Sequence, residues 1–276
     1  MFASSNGSYE GSKYVLLGAP FDQTSSFRAG CDLGPEYIRK ASYCFEPYMM
    51  EYDVSLSDIP IHDLGDIDDL GSVEEIGEVL EEKVAGIVGD NKIPIVMGGE
   101  HSISPYGISA FDEIDVIVFD AHLDFRDEYE GNKRSHATAN RRISELNNVD
   151  KHAVVGVRSI SQREFDKETP KYFTADELTS YNDAVSEITK YLGESGNNIY
   201  ISIDMDAVDP TFAPGVGNPE PFGLDPKIIK KTISQLSSKI IGMDVVEVNP
   251  KYDPSEITST LAARFIYELI GSKESL

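Results

Sequence analysis

The sequence predicts an α/β domain in which a mostly parallel sheet is covered by helices on both faces. Three observations carry this. Apolar runs of strand length alternate with amphipathic helical patterns along the 276-residue chain. Most runs are continuous rather than alternating, as in strands buried on both sides. Several end in Gly or in carboxylates, and open parallel sheets bind their ligands at that end of the strands. Hydrophobic residues make up 40% of the chain, enough for a substantial core.

The strand-like runs are YVLLGAP (14–20), IPIVMGG (93–99), DVIVFDAH (115–122), HAVVGVRS (152–159), NIYISIDMD (198–206) and KIIGMDVVEV (239–248). A helix is expected over 72–89, with Ser72 as N-cap and Glu75 three residues on. It places Val73, Ile76, Leu80, Val84 and Ile87 on one face. A weaker helical stripe runs from Asp176 to about Leu192. Helix 225–238 aligns Ile229, Ile233 and Leu236, and helix 255–271 aligns Ile257, Leu261, Phe265 and Leu269. No repeat, low-complexity segment or linker interrupts this order, so residues 1–276 read as one domain. Two long polar segments, 123–136 and 207–224, follow acidic strand ends, and loops of that length are more often functional than decorative.

The formal charge is −24, which argues against nucleic acid and anionic membranes as partners. Most of that charge reads as solvated surface, including the run Asp63, Asp66, Asp68 and Asp69. Cys31 and Cys44 lack any paired spacing and read as packing residues in a reduced, cytoplasmic setting. The start MFASSNGSYEGSK has no basic residues followed by an apolar run, so no signal peptide is expected. No stretch approaches the roughly eighteen unbroken apolar residues of a membrane span.

The chemistry concentrates in FDAHLDF (119–125) and SIDMD (202–206). In an extended chain Asp120, His122 and Asp124 project to one side, as do Asp204 and Asp206. His101 follows a third apolar strand in MGGEHS, where Gly98 and Gly99 allow a tight turn. Any one of these alone is more often a cap or a surface residue. Together, four carboxylates at one sheet edge would repel one another unless cations compensated them. Two divalent ions would do so. Oxygen-rich ligation with some imidazole suits Mn²⁺ better than a structural zinc site.

The blocks GGEHS (98–102), DAHLD (120–124) and SIDMDAVDPTFAPGVGNPEPFGL (202–224) resemble the ureohydrolases, the arginase and agmatinase group. SFRAGCDLGPEYIR (26–39) and MDVVEVNPKYD (243–253) look like further blocks of the same family, so the resemblance spans nearly the whole chain. It implies a three-layer α/β/α fold of arginase type and two Mn²⁺ ions. One ion would take His101, Asp120, Asp124 and Asp204, the other Asp120, His122, Asp204 and Asp206, with Asp120 and Asp204 bridging. It also implies attack of a metal-bridging hydroxide on a guanidinium carbon, giving urea and an amine. His136 would shuttle protons, Glu247 would grip the guanidinium, and Asp124 could assist proton handling. His62 and His152 match nothing and read as structural; Glu100 adjoins a ligand without being one.

For the substrate tail, the loop FRDEYEGNKRSHAT (125–138) is similar to agmatinases, and the acidic Asp127, Glu128 and Glu130 near the mouth would suit a small cationic guanidino substrate. Agmatine is the first choice. Arginine, aminopropylagmatine, guanidinobutyrate and guanidinopropionate stay open, as does a metal-dependent deacetylase-like activity on a related fold. The resemblance further implies a homo-oligomer, a trimer or hexamer.

Overall fold

A computed structural model describes residues 1–68, 71–165, 169–178, 180–193 and 195–275. Its strands are β1 Tyr14–Ala19, β2 Tyr48–Met49, β3 Val54–Ser55, β4 Ile61–Asp66, β5 Ile93–Gly98, β6 Ile114–Phe119, β7 Val149–Val157, β8 Lys171–Thr174, β9 Asn198–Asp204 and β10 Ile240–Val246. The helices are α1 Gly34–Ser42, α2 Val73–Gly89, α3 Ser104–Ser109, α4 Ala139–Ser144, α5 Tyr181–Gly193, α6 Pro226–Leu236 and α7 Ile257–Glu274. Eight strands form one sheet in the order β4-β1-β5-β10-β9-β6-β7-β8, with every neighbouring pair parallel. β2 and β3 make a separate small hairpin.

The layers follow from the period-two alternation of strand side chains. Ile117 and Phe119 of β6 join the core under α1, α5, α6 and α7, whereas Val116 and Val118 join the core under α2, α3 and α4. β1 divides likewise, with Tyr14 and Leu16 on one side and Leu17 and Ala19 on the other. Each fully buried side chain of this kind contributes about 1.5–3 kcal/mol relative to exposure.

Helix α2 starts as expected, its Ser72 side chain accepting from the Glu75 N–H, and the five expected apolar residues are all buried. Asp225 caps α6 by accepting from the Lys227 N–H. The helix expected from Asp176 begins instead at Tyr181. In α7 the buried surface is broader than the expected stripe. Ile257 is exposed and Leu261 only partly buried, while Ala262, Ile266, Tyr267 and Ile270 join Phe265 and Leu269 in the core. This helix packs against α1, α6 and the β2–β3 hairpin region at once, so a single stripe underestimates its buried face. The edge strands β4 and β8 were not expected. Their sequences, IHDLGD and KYFT, are short and partly polar, as befits sheet edges.

Asp63 corrects the solvated reading of its acidic run. It is buried, and Arg39 donates to it from Nε at 2.9 Å and from Nη2 at 3.0 Å. Asp66 also pairs with Arg39 but is exposed, as is Asp68; Asp69 lies outside the described residues. Cys44 is exposed, so only Cys31 is a buried thiol. Among the described residues no helix is long and apolar enough to cross a membrane.

The strand order matters most for function. β5, β10, β9 and β6 lie side by side, and their carboxyl ends lead into His101, Glu247, Asp204 and Asp120 respectively. Four segments separated by up to 146 residues in sequence (His101 to Glu247) thereby meet at one point.

Candidate metal centre

The local turns differ from the extended geometry expected from sequence. β6 stops at Phe119, and Asp124 has φ 46°, so a left-handed turn rather than strand alternation carries it inward. β9 stops at Asp204, whose Oδ1 accepts from the Asp206 N–H at 2.8 Å and caps a 3₁₀ turn over Met205–Ala207. His101 opens a 3₁₀ turn over His101–Ile103 just before α3.

The six side chains nevertheless converge. His101 Nδ1 lies 3.4 Å from Asp120 Oδ2, 3.4 Å from Asp204 Oδ2 and 3.7 Å from Asp124 Oδ2. It is buried and has no hydrogen-bond partner. His122 Nδ1 lies 2.9 Å from Asp206 Oδ2 and 3.6 Å from Asp120 Oδ1. Two clusters that could hold a metal ion result, His101–Asp120–Asp204 and Asp120–His122–Asp206, joined through Asp120. Asp124 stands at the edge of the first.

The electrostatics show what such a site demands. Burial pushes Asp204 well above the usual carboxylate range and Asp124 up to about 7. Burial also opposes charge on Asp120, His101 and His122, but their mutual contacts win, holding the Asp120 carboxyl low and the imidazoles high. Protons on the imidazoles thus balance the buried carboxylates. A divalent cation in each cluster would displace those protons and satisfy the same charges, including the orphaned His101 Nδ1. The donor set therefore fits a pair of hard or borderline cations.

Polar side chains orient these ligands from behind. His101 Nε2 is 3.2 Å from Ser202 Oγ, which donates to Asp244 Oδ1 at 2.6 Å, and Tyr200 donates to Asp244 Oδ2 at 3.0 Å. Asn140 donates to Asp120 Oδ2 at 3.3 Å, and its Oδ1 lies 3.0 Å from His152 Nε2. His152 is buried, and burial pushes its pKa down to about 3, so it is a neutral, structural residue as expected. His62 is likewise structural, with Nδ1 3.0 Å from the Gly7 carbonyl. Ser202 and Asp244 lie within the blocks SIDMD (202–206) and MDVVEVNPKYD (243–253) but carry no role in that reading, and Asn140 lies outside every block. For Ser202 and Asp244 the signal was that a polar residue in a buried strand needs a partner.

Glu247 and His136 face the same cavity, of about 480 Å³, together with His122, Asp124, Asp204 and Asp206. Glu247 follows β10 with φ 63°, a conformation rare for a side chain of its size. Its Oε1 accepts from the His101 N–H at 2.9 Å, and Cys31 Sγ is 3.3 Å from Oε2. Burial, then the charge of Glu100, pushes its pKa up to about 8. Burial and the neighbouring His122 and His101 push His136 down to about 4.

The mouth departs from expectation. Asp127, Glu128 and Glu130 are exposed and do not line the cavity; Asp127 pairs with Lys133 and Arg142. Glu130 and Gly131 form a tight turn with φ 51° and 80°, and Tyr129 and Asn132 exchange backbone hydrogen bonds across it. The acids that do line the cavity, beyond the clusters and Glu247, are Glu164 and Glu220. Glu220 Oε1 is 3.6 Å from His122 Nε2. Arg158 clamps the Glu220 loop, donating to the carbonyls of Asp206, Glu220 and Pro221.

A family model described as the arginase family matches residues 12–271. An agmatinase of Halalkalibacterium halodurans is 35% identical over 98% of this chain and 95% of its own. An N(1)-aminopropylagmatine ureohydrolase of Thermococcus kodakarensis is 36% identical over 95% and 91%. The crystal structure of an agmatine ureohydrolase of Thermoplasma volcanium superposes with a TM-score of 0.93 at 37% identity, covering 99% of this chain and 94% of that one.

Proposed function

The chain belongs to the arginase family and is a hydrolase of carbon–nitrogen bonds in linear amidines, and from that premise we propose that it cleaves agmatine to urea and putrescine with two Mn²⁺ ions. The observation that carries this reading is the meeting of two Asp/His clusters and Glu247 in one cavity. His101, Asp120, Asp124 and Asp204 would hold one ion, and Asp120, His122, Asp204 and Asp206 the other. When bound, a metal pair supplies a water ionised near neutral pH and neutralises the carboxylates that hold it.

The chain's own groups do the rest. Burial favours a proton on Glu247, and the arriving guanidinium cation favours its loss; the carboxylate then accepts charge-assisted hydrogen bonds and aims the trigonal carbon at the clusters. Addition of the oxygen nucleophile makes that carbon tetrahedral. The bond to the tail nitrogen then breaks, and this nitrogen must gain a proton to leave as an amine. His136 is suited to deliver it. Held down to about 4, its imidazole is neutral at pH 7, so it collects a proton and hands it on rather than storing one. Asp124, beside the first cluster, is a further proton acceptor during breakdown.

Beyond the clusters and Glu247, the charged groups lining the cavity are Glu164, Glu220 and Arg126, a balance that leaves the lining negative and suits the free ammonium of agmatine. The ureohydrolase of Thermococcus kodakarensis favours a second reading, aminopropylagmatine, at equal similarity. This reading also takes residues 1–276 as one catalytic domain, in a cytoplasmic trimer or hexamer. The test is urea release from agmatine, aminopropylagmatine and arginine in parallel, after reconstitution with Mn²⁺. Faster turnover of agmatine supports the first reading. Faster turnover of aminopropylagmatine or of arginine replaces it.

A further inference from the structure

Glu100 is fully buried beside His101 and takes no part in the chemistry above. Its carboxylate accepts four hydrogen bonds. Oε2 takes the backbone N–H of Gln23 at 2.9 Å and of Thr24 at 2.7 Å. Oε1 takes the hydroxyl of Thr24 at 2.6 Å and of Ser102 at 2.5 Å. The Thr24 hydroxyl proton is therefore committed to Glu100, and its oxygen can act toward other groups only as an acceptor.

On the opposite side, that oxygen accepts from the His136 backbone N–H at 2.9 Å and lies 3.2 Å from His136 Nδ1. Ser135 Oγ lies 3.3 Å from the same nitrogen. Toward an oxygen that can only accept, the imidazole must donate, and the Thr24 contact is the shorter of the two, so it favours the hydrogen on Nδ1, with the Ser135 hydroxyl turned to accept. A neutral imidazole has one N–H, which leaves Nε2 with a free lone pair. The ring lines the cavity, packed edge-on against Tyr129 at 6.0 Å, whereas Thr24 and Glu100 do not line it.

We propose that Glu100, acting through the Thr24 hydroxyl, fixes the tautomer and orientation of His136 so that Nε2 is presented to the cavity as a proton acceptor. Glu100 and Thr24 are positioning residues. The kinetic consequence rests on the reading of His136 as the group that moves a proton; the tautomer does not.

The experiment is ¹⁵N NMR of the histidine rings in the full-length chain before manganese is added, at neutral pH. Signals of His136 are identified by their loss in His136→Asn, and ring ¹⁵N shifts separate protonated from unprotonated nitrogen. The wild type is expected to carry its proton on Nδ1. Thr24→Val and Glu100→Gln should move the proton toward Nε2, and Thr24→Ser should keep the wild-type pattern. In the manganese-loaded enzyme, Thr24→Val should lower kcat about tenfold with KM within about twofold, and Thr24→Ser should restore it. A wild-type proton on Nε2, or an unchanged tautomer in Thr24→Val, overturns the proposal. A rise in KM alone also overturns it, because Thr24 would then only anchor its loop. If agmatine is not the substrate, the NMR result still decides the tautomer.

Discussion

Replacing Glu247 by Gln tests the guanidinium grip with little disturbance elsewhere. The Gln amide oxygen can still accept from the His101 N–H, now held at 2.9 Å, so the first cluster keeps its shape. The amide NH₂ then takes the place of Oε2, the oxygen facing Cys31. There a donor would confront the donors of a guanidinium. Glu247 is 7% exposed, so solvent screens this contact little. Hydrogen bonds to charged partners contribute about 1.5–3 kcal/mol, and at about 1.4 kcal/mol per factor of ten this means a loss of roughly 10- to 150-fold in kcat/KM. The assay is urea release against agmatine concentration, with bound manganese measured on the same sample. Unchanged kcat/KM at full metal content would refute the argument. Loss of manganese would show instead that Glu247 supports the ions.

Asp120→Ala and Asp204→Ala should each strip bound metal and abolish turnover; activity retained in either would contradict the shared position proposed for it between the ions. His136→Asn should keep both ions while kcat falls by about 10²–10⁴-fold, and metal loss in this variant would make the histidine a ligand. Asp63→Asn should cost about 3 kcal/mol in denaturant unfolding, because it leaves the buried Arg39 without its main partner; a change under about 1 kcal/mol would mean that Asp66 suffices. Burial opposes ionisation of Asp63, but Arg39 outweighs it and lowers the Asp63 pKa in the folded chain. The stabilisation this carries is full above the unfolded carboxylate pKa of about 3.9 and lost as pH falls through the lower folded value. Acidification below about pH 4 should thus erode wild-type stability more than that of Asp63→Asn, and parallel pH curves would refute this.

Much of the site was legible because its parts are local. Continuous apolar runs mark β1, β5, β6, β7, β9 and β10, since a strand buried on both faces needs no alternation. His101, Asp120, His122, Asp124, Asp204, Asp206, His136 and Glu247 each sit within or just after a short motif readable in its own window. The face of α2 was legible for the same reason, as one repeating contact surface writes one repeating pattern.

Tertiary structure decided what depends on neighbours distant in the chain. Strand order alone brings β10 between β5 and β9, and so sets Glu247 beside His101. Beyond the clusters and Glu247, the acids lining the cavity are Glu164 and Glu220 rather than Asp127, Glu128 and Glu130, because a tight turn holds the latter loop tip in solvent. Asp63 became a buried ion-pair partner because Arg39, 24 residues away, reaches it from α1. Asn140 and Thr24 lie in no motif, Ser202 and Asp244 lie in motifs that give them no role, and only packing brings their polar atoms to the histidines and carboxylates they steady. Sequence windows record the periodicity a segment needs to bury itself. Which polar group answers another depends on long-range packing, which no single window contains.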